Sequence, residues 1–174
     1  MPRILIVTGE ASGDLHGAHL VKALKELSPA LQIVGVGGAS MRAAGAELVK
    51  DIPQLDVMGL IGLSAVKTML QRISRIRTLI KGERWDLVVL IDNPGLNFHF
   101  ARVARACGLK VLYYIAPQVW AWRRGRMRWI QQRVDHVLAL LPFEEPLYKK
   151  AGVRCTLVGN PLLDEVAPSY DRQA

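Results

Sequence analysis

Residues 86–97, Asp-Leu-Val-Val-Leu-Ile-Asp-Asn-Pro-Gly-Leu-Asn, contain the clearest strand signal in the chain. Five consecutive apolar residues fill the first half of this stretch. A short run that is rich in Val and Ile and apolar on both faces is typical of a strand buried in a parallel sheet. A proline and a glycine then break the strand. The stretch therefore predicts a central strand that stops at Asp92.

The carboxylate of Asp92 falls at the carboxyl end of this strand, where open α/β sheets bind their ligands. Burying a carboxylate is costly, because it must lose its water. Two interpretations follow: Asp92 lies on the floor of a ligand cleft, or it caps the next helix, which is predicted to begin near Leu96. Asn93 can cap that helix equally well. That alternative cap leaves Asp92 free and favours the functional interpretation.

Other short apolar runs alternate with helical patterns along the chain. Further strands are predicted at residues 3–8, 32–36, 47–49, 110–115, 134–141 and 154–158. About seven strands that alternate with helices predict an α/β fold with a doubly wound, mostly parallel sheet. In such a fold Gly9, Asp92 and Pro117 follow strand ends and meet along one edge of the sheet.

Composition excludes disorder and a membrane-spanning segment. The chain has 174 residues, of which 51% are apolar, enough for one domain with a core. No apolar run approaches the ~20 residues that cross a bilayer, and no secretory leader precedes the first strand. Cys107 and Cys155 form no disulfide framework, which favours a reducing compartment. The sequence predicts a protein that is soluble or lies on a membrane surface.

The net charge of +8, from 23 Lys and Arg against 15 Asp and Glu, predicts an anionic partner. Nucleic acid, anionic lipid and phosphorylated small molecules all fit this charge. A helix predicted over residues 60–81 has an apolar face and a basic face with Arg72, Arg75 and Arg77. It either lies on an anionic membrane or packs on the sheet with its basic face in water. The apolar loop before it keeps the membrane interpretation open.

A glycine-containing turn, Gly9-Glu-Ala-Ser-Gly-Asp14, follows the first strand. Ser12 or Asp14 is predicted to cap the next helix. The turn matches neither the dinucleotide-binding fingerprint nor the P-loop. The carboxylates of Glu10 and Asp14 would repel a phosphate and suit a sugar hydroxyl better. A plain turn without ligand contact remains the alternative for Glu10.

Two tryptophans follow the strand predicted at residues 110–115, within Ala116-Pro-Gln-Val-Trp-Ala-Trp-Arg123. They either offer flat faces to a sugar ring or an acyl chain, or fill the core beneath the loop. An arginine-rich helix comes next and includes Trp129. Such a helix can bind phosphate, or stack and pair with single-stranded nucleic acid. No nucleic-acid motif surrounds it.

Six motifs, in this order, resemble the N-terminal half of the bacterial lipid A disaccharide synthase family. They are Gly9-Glu-Ala-Ser-Gly-Asp14, Met58-Gly59, Ile91-Asp-Asn-Pro94 with Asn97, Pro117-Gln-Val-Trp-Ala-Trp-Arg123, Leu141-Pro-Phe-Glu144 and Val158-Gly-Asn-Pro161. The resemblance extends from about residue 3 to about residue 164. The first motif and the Trp-Ala-Trp-Arg motif are specific when they occur together.

The resemblance implies a GT-B glycosyltransferase, with a Rossmann-like acceptor-side domain over residues 1–164. Residues 165–174 would begin a linker to a C-terminal donor-nucleotide domain. The implied reaction joins UDP-2,3-diacylglucosamine to 2,3-diacylglucosamine 1-phosphate, giving a β-1,6 disaccharide and UDP without a metal or other cofactor. Asp92 would be the general base. The chemistry agrees, because inverting transfer needs one base and no covalent nucleophile.

The resemblance also implies site residues, partners and a location. The positions predicted to contact substrate are Glu10, Ser12, Gly13, Asp14, Met58, Gly59, Asn97, Gln118, Trp120, Trp122 and Arg123. Arg72, Arg75 and Arg77 are predicted to contact the anionic inner face of the inner membrane, from the cytoplasm. Further predicted partners are the C-terminal domain and a second copy in a homodimer, but no nucleic acid. A basic nucleic-acid-binding module and an epimerase-like domain remain the alternative functions.

Overall fold

The computed structural model describes residues 1–50, 52, 63–115 and 124–164. These residues form seven strands and six α-helices. In chain order they are β1 (Arg3–Thr8), α1 (Ala11–Leu27), β2 (Gln32–Val36), α2 (Ala39–Ala43), β3 (Glu47–Leu48), α3 (Leu63–Gly82), β4 (Leu87–Ile91), α4 (Pro94–Ala106), β5 (Val111–Tyr114), α5 (Arg124–Arg133), β6 (His136–Ala139), α6 (Glu144–Lys150) and β7 (Cys155–Leu157). A 3₁₀ turn, Pro161–Asp164, follows the last strand.

The seven strands form one parallel sheet in the order β3-β2-β1-β4-β5-β6-β7. This confirms the predicted doubly wound α/β fold. The strand order reverses between β1 and β4, the two central strands. In open α/β sheets, ligands bind in the crevice at the carboxyl ends of the strands where the order reverses. The topology therefore predicts a ligand site at the turns after β1 and β4.

Helices cover the sheet in two layers. On one face, Ile76 of α3, Phe100 of α4 and Ile130 of α5 belong to one apolar cluster. On the other face, Val21 of α1 and Met41 of α2 belong to a second cluster. The residues of β4 from Val88 to Ile91 are buried, with at most 1% exposure. The predicted central strand therefore lies between both layers, as its uninterrupted apolar run requires.

Several predicted boundaries shift, and the strands predicted at residues 47–49, 110–115 and 154–158 are each one or two residues shorter. Helix α4 begins at Pro94 rather than near Leu96, because proline lacks an N–H and has a preset φ that suits the first helical position. The strand predicted at residues 134–141 is shorter, since only His136–Ala139 pairs with its neighbours.

The predicted apolar face of α3 divides into two halves. Ile76 and Ile80, in the second half, are fully buried against the sheet. Val66 and Leu70, in the first half, are 55% and 60% exposed. One part of the face thus packs in the core, whereas the other presents apolar side chains at the surface.

Both cysteines are free thiols. Burial, with smaller contributions from Glu145 and Glu144, raises the pKa of Cys155 to about 11. That thiol is therefore protonated near neutral pH and is a poor nucleophile. Among the described helices, none is both long and apolar enough to cross a bilayer.

Candidate active site

The turns after β1 and β4 and the residue Ile115, which follows β5, lie at the carboxyl edge of the sheet. Among the described residues, three residues other than glycine have a positive φ, and all three lie at this edge: Asp92 (50°), Asn93 (39°) and Ile115 (59°). A left-handed backbone costs a non-glycine residue roughly 1–2 kcal/mol. Such conformations persist only where surrounding contacts hold them, and they cluster at functional sites. This edge is therefore the candidate active site.

The backbone of Asp92 is held from three sides. Its N–H donates to the carbonyl of Tyr114 at 3.1 Å. Its carbonyl accepts from Asn97 Nδ2 at 2.7 Å and from the Tyr113 hydroxyl at 2.7 Å. A carbonyl oxygen has two lone pairs, and here both are used. These contacts fix the strained turn.

The Asp92 carboxylate is half-buried at this edge. It has no hydrogen bond or ion pair with another residue for which the structure gives side-chain contacts. The backbone is thus anchored while the carboxylate is left for a ligand. That arrangement suits a group that must meet a substrate proton at a defined position.

Asn93, not Asp92, caps the following helix. The Asn93 Oδ1 accepts from the Leu96 N–H at 3.3 Å at the start of α4. This confirms the prediction that Asn93 can take the capping role and leave Asp92 free. The other end of the Asn93 amide, Nδ2, donates to Glu10 Oε1 at 3.4 Å.

The turns after β1 and β4 are in close contact. A Cβ on Gly9 would overlap the side-chain amide of Asn93, so only glycine fits there without a shift. Glu10 is exposed beside this contact, and it precedes α1 without capping the helix through its side chain. The structure therefore brings Gly9 and Asp92 to adjacent turns of one edge, as predicted, with Glu10 beside them. Pro117, the third residue predicted at this edge, lies outside the described residues.

The remaining positions of the first turn differ in exposure. Ser12 is exposed at the start of α1, whereas Gly13 is buried, with its Cα side packed against Thr8. The prediction that Ser12 or Asp14 caps α1 is wrong, because Glu10 occupies the N-cap position and no side chain caps there. Substrate contact by Ser12 and Gly13 stays a prediction.

Asp14 is buried, with 8% exposure, and holds a different helix. Its carboxylate accepts from the N–H groups of Gly38 at 2.6 Å, Ser40 at 3.0 Å and Met41 at 3.3 Å. These are first-turn donors of α2, which have no partner inside their own helix. Asp14 therefore joins α1 to α2. Direct contact between the Asp14 side chain and substrate stays a prediction. Both carboxylate oxygens already accept hydrogen bonds from α2.

Asn97 is buried and binds the backbone at the end of β4. Its Nδ2 group donates both protons, one to the carbonyl of Ile91 at 2.9 Å and one to that of Asp92 at 2.7 Å. Both bonds secure the end of β4. Asn97 thus supports Asp92 from α4, and substrate contact by Asn97 is untested.

Arg72 corrects the predicted membrane-contact set. It is only 5% exposed and does not lie on the exposed basic face of α3. Its Nη2 donates to the carbonyl of Thr8 at 2.8 Å, at the end of β1. Helical periodicity placed Arg72 on the polar face, but a long side chain can reach a carbonyl at the sheet edge. Burial lowers the pKa of Arg72 from its ordinary value. Arg75 and Arg77 are exposed.

Several predicted site residues lie outside the described residues. They are Met58, Gly59, Gln118, Trp120, Trp122 and Arg123. Their roles stay predictions. Over the ranges that the structure describes, no three His, Cys, Asp or Glu side chains are grouped to hold a metal ion. The expectation that no metal is needed is likewise untested.

Trp129, in the arginine-rich helix α5, already packs against two other side chains. The Trp129 ring lies 4.3 Å from the Phe98 ring, between centroids. The Arg133 guanidinium carbon lies 4.7 Å from the Trp129 ring centroid. An indole that already packs against another ring and a guanidinium is a poorer platform for a nucleic-acid base than a free one. This observation counts against the nucleic-acid hypothesis.

The sequence did not indicate the roles of two residues at the site. Tyr113 was not singled out, and Arg72 was predicted to face outward instead of toward the end of β1. Tyr113 occupies a buried strand position, and a strand tyrosine gives no sequence signal for a bond to a neighbouring strand end. Its contact with Asp92 depends on the pairing of β4 with β5.

Two solved structures with a similar fold contain bound UDP. Anabaena HepE, solved with UDP and glucose, matches with a TM-score of 0.55 and 10% identity, over 92% of this chain and 44% of HepE. A UGT transferase from Siraitia grosvenorii, solved with UDP, matches with a TM-score of 0.55 and 11% identity, over 91% of this chain and 51% of that protein. At these identities the likeness concerns the fold alone.

Sequence relatives are closer. The lipid-A-disaccharide synthase of Geobacter metallireducens is 48% identical over 171 residues, covering 98% of this chain and 44% of that protein. Those of Syntrophus aciditrophicus and Coxiella burnetii are 46% and 44% identical over 97% of this chain, which covers 44% and 45% of their lengths. The chain thus spans less than half the length of these relatives. A model of the lipid-A-disaccharide synthetase family matches residues 4–174, and the chain therefore belongs to that family.

Proposed function

We propose that the chain is the acceptor-side half of an inverting glycosyltransferase of lipid A synthesis. The proposed reaction joins UDP-2,3-diacylglucosamine to 2,3-diacylglucosamine 1-phosphate and forms a β-1,6 disaccharide and UDP. The observation that carries the proposal is the half-buried carboxylate of Asp92, which has no partner among the described residues, on a backbone held by Asn97 and Tyr113. Family membership supplies the substrate class.

In the proposed mechanism, Asp92 acts as the general base. The 6-hydroxyl of the acceptor attacks the anomeric carbon of the donor, and Asp92 takes the hydroxyl proton as the new C–O bond forms. The bond between the anomeric carbon and the UDP oxygen breaks, and UDP leaves with the electron pair. A carboxylate is a weak base near neutral pH, so accurate positioning must supply much of the rate. The anchored turn of β4 is suited to that task.

Glu10 is the second group proposed to face the acceptor. Its exposed carboxylate lies at the adjacent turn, next to Asn93. A carboxylate accepts hydrogen bonds from sugar hydroxyls. In the proposed complex, Glu10 orients the acceptor sugar while Asp92 accepts its proton.

The proposal is tested on a full-length protein that carries this chain as its first half. It is incubated with both acylated substrates, and UDP release and disaccharide formation are followed together. Disaccharide and UDP in equal amounts would support the proposal. UDP release that does not depend on the acceptor, or no product at all, would contradict it.

We expect the isolated 174-residue chain to be folded but to release no UDP. The seven strands pair into one sheet with helices on both faces, whereas the proposed donor-nucleotide domain would lie outside the chain. Cooperative thermal unfolding together with no UDP release is the expected result. Robust UDP release from the chain with acylated substrates would show that the donor site lies within it.

We further propose that α3 contributes membrane contact. Val66, Met69 and Leu70 are 55%, 41% and 60% exposed in its first half, and Arg75 and Arg77 are exposed in its second half. Apolar side chains beside basic ones suit the boundary of an anionic membrane. Acylated substrates would be reached there. The proposed location is the inner face of the inner membrane.

Changing Arg75 and Arg77 together to Glu is expected to weaken binding to anionic vesicles at least about tenfold, since each basic residue near such a surface contributes ~1 kcal/mol. Vesicle sedimentation measures the effect, and circular dichroism checks the fold. Arg72 is left unchanged, because it is buried.

The matched control changes Lys22 of α1 and Arg42 of α2 to Glu. Both are exposed in the layer opposite α3, and the change in net charge is the same. Vesicle binding by this control should fall much less. Equal losses in both variants would mean that net charge alone governs binding, and α3 would then be an ordinary surface helix.

A further inference from the structure

Asp92 and Asn93 are two successive residues with left-handed backbone, at φ 50° and 39°. Asp and Asn adopt this backbone more readily than other non-glycine residues, but two in succession need contacts that hold the turn in place. The direction of the Asp92 carboxylate depends on this backbone, since a side chain leaves from its own Cα. Whatever stabilises the turn therefore also sets the position of the proposed base.

Two side chains hold the Asp92 carbonyl, and they do so differently. Asn97 belongs to α4 and divides its two protons between Ile91 and Asp92. Its bonds secure the strand end as well as the turn. Tyr113 belongs to the neighbouring strand β5, and its one hydroxyl proton goes to Asp92 at 2.7 Å. The Tyr113 bond joins β5 directly to the carbonyl of Asp92.

The Tyr113 hydroxyl is itself well fixed. The residue has 0% exposure, and its ring meets Phe98 edge to face with 6.4 Å between centroids. Strand pairing sets Tyr113 opposite Leu90, two residues before Asp92. A rigid donor from a paired strand can hold a strained carbonyl within the narrow tolerance that proton transfer requires.

We propose that Tyr113 is a positioning residue for the reaction, acting through the backbone of Asp92 and not through contact with substrate. The inference rests on the proposed function, in which Asp92 is the base. Loss of the hydroxyl would let the Asp92 turn relax and move the carboxylate from the acceptor proton. Substrate affinity would hardly change, because Tyr113 lies beneath the turn.

The test is Tyr113→Phe in the full-length protein, which removes one oxygen atom and keeps the ring. We expect kcat to fall about tenfold or more, because a displacement near 1 Å can cost about 10²-fold. The KM values should stay within about twofold of parent. The matched control is Tyr148→Phe, which removes the hydroxyl of another tyrosine with 0% exposure in the same apolar cluster. Its kcat should stay at the parental value.

A second measurement separates positioning from general loss of structure. Tyr113→Phe is combined with Asp92→Asn, and the two effects are compared as a double-mutant cycle. Because Tyr113 acts through Asp92, its substitution should change the residual rate of the Asn variant less than twofold. A further tenfold loss in that background, or a Tyr113→Phe enzyme with parental kcat, would overturn the inference. An inactive parent enzyme would instead contradict the proposed function.

Discussion

The Asp92→Asn variant of a full-length protein carrying this chain is expected to lose about 10²–10⁴-fold in turnover, the usual contribution of general base catalysis. Asparagine keeps the size of the side chain but cannot accept the acceptor proton. It also tolerates the left-handed backbone at this position, where φ is 50°. The measurement is UDP release at saturating substrate.

The same variant should melt near the parental temperature. Asn97 and Tyr113 bind the Asp92 backbone carbonyl and not the carboxylate, so the substitution leaves both bonds in place. The helix cap is also kept, because Asn93 provides it. Loss of turnover without loss of stability is therefore the expected pattern.

Asp86→Asn is the matched control, since Asp86 flanks the opposite end of the same strand. Its carboxylate accepts from the Arg3 N–H at 2.7 Å, away from the site. This control should keep parental turnover. If the Asp92→Asn variant also turns over at the parental rate, the proton goes elsewhere. Glu10 would then be the next candidate, because its carboxylate is exposed at the same edge.

The floor of the site could be predicted from the sequence because local rules determine it. The short apolar run of β4, rich in Val and Ile, favours a buried strand, and the polar residues after such a strand lie at the sheet edge. Residue type and position made Asn93 a candidate cap beside Asp92, and the structure shows that Asn93 takes this role. The start of α4 at Pro94 also obeys a local rule, although the helix was predicted to begin later.

The contacts that brace the site could not be predicted in this way. Arg72 follows the period of a polar helix face, yet it reaches the carbonyl of Thr8, 64 residues away. Tyr113 looks like an ordinary buried strand residue until β5 is placed beside β4. Periodicity describes one element at a time, whereas these contacts depend on the neighbours that the topology assigns.

Asp14 is the clearest case of such dependence, and it yields the largest predicted effect on stability. The Asp14→Ala variant of the 174-residue chain is expected to lose about 3 kcal/mol in the free energy of unfolding, because hydrogen bonds to a charged group contribute roughly 1.5–3 kcal/mol. For a domain of this size, that corresponds to a fall of about 6–12 °C in Tm. Chemical denaturation and thermal melting measure it.

The physical reason lies in the three backbone donors that Asp14 satisfies. The N–H groups of Gly38, Ser40 and Met41 all point to its carboxylate, and Met41 is completely buried. Alanine leaves these donors without their acceptor. Asparagine would keep one oxygen but turn an amide N–H₂ toward donors. Asp14→Asn should therefore be destabilising as well, by less than alanine.

Ser12→Ala provides the control, because Ser12 is exposed in the same first turn of α1. Its Tm should stay close to parent. If the Tm of the Asp14→Ala variant equals that of the Ser12→Ala control, solvent satisfies the N–H donors of α2 at little cost in stability. The Asp14 carboxylate would then be available to a ligand, and its predicted role in substrate binding would become the better explanation of its position.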